Sequence, residues 1–162
     1  MKARRVLSSS LGALAGALLA ASSPAAAQDK SVERRLKELD LTYEIDKDGD
    51  YKLGVSWSSE GRTQIVFVSG KTEEVGGLVI REVFAPAALV ADHGVDGAKA
   101  LALLEASGGN KFGSWEIRGG VVYYVAKVFD SISAKELDTV ITIVSEAADD
   151  KEIELTGGMD DL

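Results

Sequence analysis

The chain has 162 residues, 46% hydrophobic and 27% charged, with no cysteine and a formal net charge of −8. That length suits one domain with an ordinary core. The lack of cysteine excludes disulfides and thiolate metal sites, and the acidic balance excludes the basic footprint of a nucleic-acid binder.

The N-terminus reads as an export leader. Lys2, Arg4 and Arg5 form a charged segment, Val6 to Ala21 is an alanine-rich apolar run, and Pro24-Ala25-Ala26-Ala27 ends in the small-x-small pattern of a signal-peptidase site. Cleavage is expected after Ala27, which divides the chain into a leader at 1–27 and a domain at 28–162 and implies a periplasmic or secreted location. Ser8, Ser9, Ser10, Gly12 and Gly16 interrupt the run, which is short for a span of about 20 strongly apolar residues, so no stable membrane anchor is expected. The Arg4-Arg5 pair keeps a twin-arginine route open beside the general one. Loss of the leader takes the 18 basic residues to 15 against 26 acidic ones, a net −11 that favours solubility.

Ser31 opens a short amphipathic helix over 31–39, with Val32, Leu36 and Leu39 on one stripe that docks on its own sheet or on a partner. Leu41, Tyr43 and Ile45 alternate with polar residues, as do Tyr51, Leu53, Val55 and Trp57. A three-residue loop with Gly49 in the left-handed region sets Ile45 against Tyr51, Tyr43 against Leu53 and Leu41 against Val55. Asp46, Asp48 and Asp50 gather at this turn as weak candidates for a cation site. The EF-hand template fails there, since its glycine falls on Tyr51 and its terminal acid on Trp57. Turn chemistry alone explains Asp and Gly.

Further strands are expected at 62–68 and 78–84, the second ended by Pro86, with a polar loop over 69–77 between them. A helix over about 98–106 stops at Gly108-Gly109. The densest β signal follows: two β-rich runs flank Gly119-Gly120 as a hairpin, pairing Arg118 with Val121, Ile117 with Val122, Trp115 with Tyr124, Glu116 with Tyr123 and Ser114 with Val125. Val121, Tyr123 and Val125 make its second strand apolar on both faces, the pattern of a central strand covered on each side. Ser133 to Glu136 is a capping box before Leu137, Val140, Ile141, Val144 and Ala148 at helical spacing, and a charged tail, Asp149-Asp150-Lys151-Glu152, leads to an irregular end from Leu155 to Asp161. Strand runs with helices outside them give an α+β domain, an antiparallel sheet flanked by helices.

The segment Asn110-Lys111-Phe112-Gly113-Ser114-Trp115-Glu116-Ile117, its hairpin and capped helix, and Ala148-Asp149-Asp150-Lys151-Glu152-Ile153-Glu154-Leu155-Thr156-Gly157 resemble the YbjN-like family of bacterial proteins. Leu39 to Gly54, with Tyr43 and Asp48-Gly49-Asp50, fits that family's opening. The resemblance implies a type III secretion chaperone-like fold, whose first helix and sheet surface hold a partner polypeptide or a second copy, and a label as sensory transduction regulators. It carries no catalytic residues.

Nothing in the residues favours an enzyme or a cofactor. His93 is the lone histidine, in a Gly-flanked loop, and there is no Gly-x-Ser-x-Gly elbow to supply a nucleophile. Val75-Gly76-Gly77 lacks the lysine of a phosphate loop, and Glu152 with Glu154 reads as a solvated face. The expectation is a non-enzymatic, protein-binding or chaperone-like module with no cofactor, contacting a polypeptide or itself through Val121, Tyr123, Val125, Val32, Leu36 and Leu39. The alternative is a sensor of a small ligand or cation, or a hydrolase.

Overall fold

A computed structural model of the chain describes residues 4–6, 30–57, 61–160 and 162; apart from Arg4–Val6, the expected leader and its cleavage site lie outside the described residues. The elements are β1 (Arg4–Val6), α1 (Lys30–Glu38), β2 (Glu44–Ile45), β3 (Tyr51–Trp57), β4 (Arg62–Val68), β5 (Glu73–Val75), β6 (Leu78–Leu89), α2 (Gly97–Gly109), β7 (Ser114–Arg118), β8 (Val121–Phe129) and α3 (Ala134–Thr156). Every strand pair is antiparallel, in the order β1-β3-β4-β6-β8-β7, with β2 on the end of β3 and β5 on the end of β6. The α+β class is therefore as expected.

Alternation puts Tyr51, Leu53, Val55, Trp57, Val66, Val68, Val83, Ala85, Tyr124 and Ala126 on one face, where Leu137, Val140, Ile141 and Val144 of α3 and Val32 and Leu36 of α1 cover them. Each large side chain so buried contributes about 1.5–3 kcal/mol, which fixes α3 across the sheet. Leu103 of α2 packs with Val122, Ala88 and Val95 on the same side. All three helices thus share one face, and no described element covers the other. The second side of β8 is therefore not covered by a helix, although Val125 on it is buried.

The hairpin forms in the expected register, turning through Gly119 and Gly120 at φ +55° and +83°. The capping box of α3 also forms, with Ser133 Oγ accepting from Glu136 N–H and the Glu136 carboxylate accepting from Ser133 N–H.

Four expectations need correction. Ile45 pairs with Tyr51, but Leu41 and Tyr43 leave the ladder, and the Tyr43 ring meets Tyr51 edge-on at 5.2 Å. The polar loop over 69–77 contains β5, which folds back on β6. Strand β6 runs through Pro86 because a bulge there shifts the register, while β4 has already left the ladder and sends the Gln64 side-chain amide to the Pro86 carbonyl at 2.8 Å. Finally, α3 continues through Asp149 and Glu152 to a left-handed cap at Gly157, because Arg62 neutralises those two buried carboxylates at 2.7 and 3.0 Å.

Candidate functional site

Strand β7 is shorter than its partner. It ends at Ser114, opposite Val125, while β8 continues through Ala126, Lys127, Val128 and Phe129. In the space beyond β7, between β8 and the first turns of α3, lies a groove of about 430 Å³. Val128 and Phe129 of β8, Ile132 of the turn that follows and Val140 and Ile143 of α3 line it, together with Ile80, Lys127, Glu136 and Thr139. Phe129 is 52% exposed and Phe112, which closes the end nearest β7, is 36% exposed.

Gly113 places Phe112 there. Its φ of +79° is a left-handed conformation, and a Cβ at this position would sit 2.7 Å from Tyr124 Cε1. The close approach lets Tyr124 Oη donate to the Phe112 carbonyl, while burial raises the phenol's pKa above its ordinary value. Trp115 meets Tyr124 edge-on at 4.9 Å and carries Lys151 Nζ 5.8 Å over its ring. Trp57 and Tyr124 are buried packing groups.

The helix-free face carries a second feature. Phe67 stacks on Phe84 at 5.1 Å, and Tyr123 meets Phe84 edge-on at 5.7 Å. Arg118 lies over Phe84 at 5.9 Å and grips Glu82 through two bonds of 2.7 and 3.0 Å and Glu116 at 2.6 Å. Lys127 Nζ donates to Glu116 at 2.6 Å. The Glu82 bonds first, then Glu116, raise the Arg118 pKa above its ordinary value. Burial pushes Glu116 up, but the bonds from Lys127 and Arg118 outweigh it and hold the carboxyl below its ordinary value.

These placements divide the residues expected at a contact surface. Val32 and Leu36 are 0% exposed beneath α3, and Val125 is 1% exposed between Phe84 and its strand neighbours, so these three are corrected to interior positions. Val121, Tyr123 and Leu39 remain half-buried. The structure does not bring α1 and the hairpin face together as one surface, because α1 sits on the opposite side of the sheet. Sequence reasoning missed the groove. Phe112 has no periodic or charged neighbourhood that marks it out, and its place beside Ile143 depends on how far β8 outruns β7.

At the aspartate turn, Asp46 Oδ1 accepts from the N–H groups of Asp48 and Asp50, both at 2.9 Å, and Asp50 Oδ1 accepts from Gly70 N–H at 2.9 Å. Burial raises the Asp50 pKa despite that bond. Among the described residues no group of three or more His, Asp or Glu side chains is arranged to hold a metal ion. His93 Nδ1 accepts from Leu89 N–H at 3.0 Å, which ties the ring to its own turn. Glu152 is buried against Arg62 rather than solvated beside Glu154. No helix among the described residues is long and apolar enough to cross a membrane.

Comparison of the chain with protein-family models and with curated proteins returns no match to either.

Proposed function

We propose that this chain is a non-enzymatic, polypeptide-binding module with a chaperone-like or regulatory role, exported to the periplasm and using the groove beside β8 as its contact site. The observation that carries this reading is the exposed apolar lining: Phe112 and Phe129 stand open to water in a groove that they line together with Val128, Val140 and Ile143. From α1 onward the order of elements, a helix, several strands, a helix, two strands and a helix, is the one that the resemblance to YbjN-like proteins and their type III secretion chaperone-like fold implies; β1, at the sheet edge beside β3, stands outside it. Beside that, His93 and the aspartate turn are occupied by local backbone bonds, which leaves contact as the better-supported role.

The groove's volume also falls within the range of small-molecule sites, about 300–1,000 Å³, so an amphiphile sensor is the second reading. Photocrosslinking in the periplasm separates the two. With benzoylphenylalanine at Phe129, a polypeptide adduct other than a second copy supports the proposal. Absence of any polypeptide adduct, together with a small molecule retained in native mass spectrometry, overturns it.

A further inference from the structure

The groove is bordered by backbone as well as by side chains, and the backbone identifies the chemistry of its occupant. Asp130 N–H donates to Val79 O at 2.9 Å, so Asp130 faces β6. In an antiparallel ladder successive residues face opposite neighbours, so Val128 and Ala126 also face β6 while Lys127 and Phe129 face away from it. On that outer side β7 covers β8 only as far as Val125. The Phe129 carbonyl is taken by Ile132 N–H at 3.2 Å, but no described backbone group pairs with the N–H groups of Lys127 and Phe129 or with the Lys127 carbonyl. Two donors and an acceptor thus lie along the mouth of an apolar groove.

We infer that the groove takes an extended polypeptide strand that pairs with β8 at Lys127 and Phe129 and inserts an apolar side chain, opposite Val128, between Phe112, Val140 and Ile143. This rests on the polypeptide-binding reading and deepens it by naming the conformation of the ligand. An amphiphile or an amphipathic helix fills the groove but leaves the outward groups of β8 unmatched. A strand supplies donors and acceptors at the required spacing and points alternate side chains to the two faces of the sheet. Its side chain opposite Val128 meets the groove, and those opposite Lys127 and Phe129 lie on the helix-free face. The ligand is therefore a segment with apolar residues at alternate positions and no proline facing β8.

The test uses the purified chain with the peptide acetyl-Gly-Ser-Val-Thr-Val-Ser-Val-Gly-amide, its counterpart N-methylated at the amides that face β8, and dodecanoate. The expected result is that the peptide slows exchange of the Lys127 and Phe129 amides while leaving the chain monomeric, and that N-methylation weakens binding by roughly tenfold or more per lost bond. Lys127→Pro removes the outward N–H together with the ammonium that bonds Glu116, so Lys127→Ala, which loses the ammonium alone, is the control; the proline variant is expected to bind the peptide more weakly than the alanine variant, and equal binding by the two overturns the inference. Equal binding of the methylated peptide, lack of protection at saturation, lack of binding, or protection by self-association each overturns the inference. A polypeptide adduct at Phe129 without amide protection leaves the broader proposal standing and removes the strand alone.

Discussion

Replacing Asp130 by alanine tests how the end of the sheet nearest the groove is held. Asp130 Oδ1 accepts from Arg81 Nε at 2.6 Å and from Arg35 Nη2 at 2.9 Å, and both arginines are buried. Asp130→Ala removes the anion from between two guanidinium groups, at about 1.5–3 kcal/mol for each charged bond lost. Both arginines keep carbonyl acceptors, at Asp130, Ile132 and Ser69, and the carboxylate is itself 22% exposed, so part of the loss is recovered. The expected net cost is about 3–4 kcal/mol, within the range for breaking a buried pair. That corresponds to a fall of roughly 10–15 °C in Tm for a domain of this size. Urea denaturation followed by the fluorescence of Trp57 and Trp115 measures it. Asp130→Asn, which keeps an acceptor but not the charge, is expected to lose about half as much. A change below about 1 kcal/mol in Asp130→Ala with an unaltered urea slope refutes the reasoning.

Gly113→Ala, which forces Tyr124 aside and strains a left-handed backbone, is expected to cost about 2–4 kcal/mol in urea denaturation and to withdraw Phe112 from the groove, read as loss of peptide binding. Arg62→Ala leaves the carboxylates of Asp149 and Glu152 without their guanidinium and unlatches the Gly158 and Met159 carbonyls; a loss of about 3 kcal/mol and earlier proteolysis after Thr156 are expected, and unchanged proteolysis contradicts the latch. Because Glu116 is held below its ordinary pKa in the folded chain, its contribution is present above the unfolded value of 4.5 and is lost as pH falls through the lower folded value; Glu116→Gln is expected to flatten the acid limb of a stability-against-pH curve. Millimolar calcium is expected to leave Tm unshifted, since Asp46 and Asp50 already accept backbone N–H groups; a rise of several degrees contradicts that account of the turn.

Local chemistry made much of this fold legible. The hairpin register followed from a two-residue glycine turn and a period of two, and the start of α3 from the reciprocal bonds of Ser133 and Glu136. What escaped depends on distant partners. Asp149 and Glu152 look like the charged end of a helix until Arg62, from another strand, is placed between them. Pro86 ends a strand by its own chemistry, yet β6 continues because β4 has diverged and Gln64 meets the Pro86 carbonyl. The groove is a difference in length between two strands, and neither strand records it alone.

The same distinction reorders the two apolar surfaces. The sequence alone points Tyr123 at a partner, because an apolar residue on the second side of a strand needs cover. The cover is supplied from within the sheet: Arg118 lies over Phe84 and bonds Glu82 and Glu116, Lys127 bonds Glu116, and Val125 on the same face is buried. No comparable network covers Phe129 and Phe112. Of the charged side chains lining the groove, Glu136 is held by the Ser133 cap and Lys127 is drawn toward Glu116. A face that answers its own apolar area makes no demand for a second molecule. The groove leaves both apolar area and backbone groups unanswered, so the contact site moves from the middle of the hairpin to the end of β8 that the hairpin leaves uncovered.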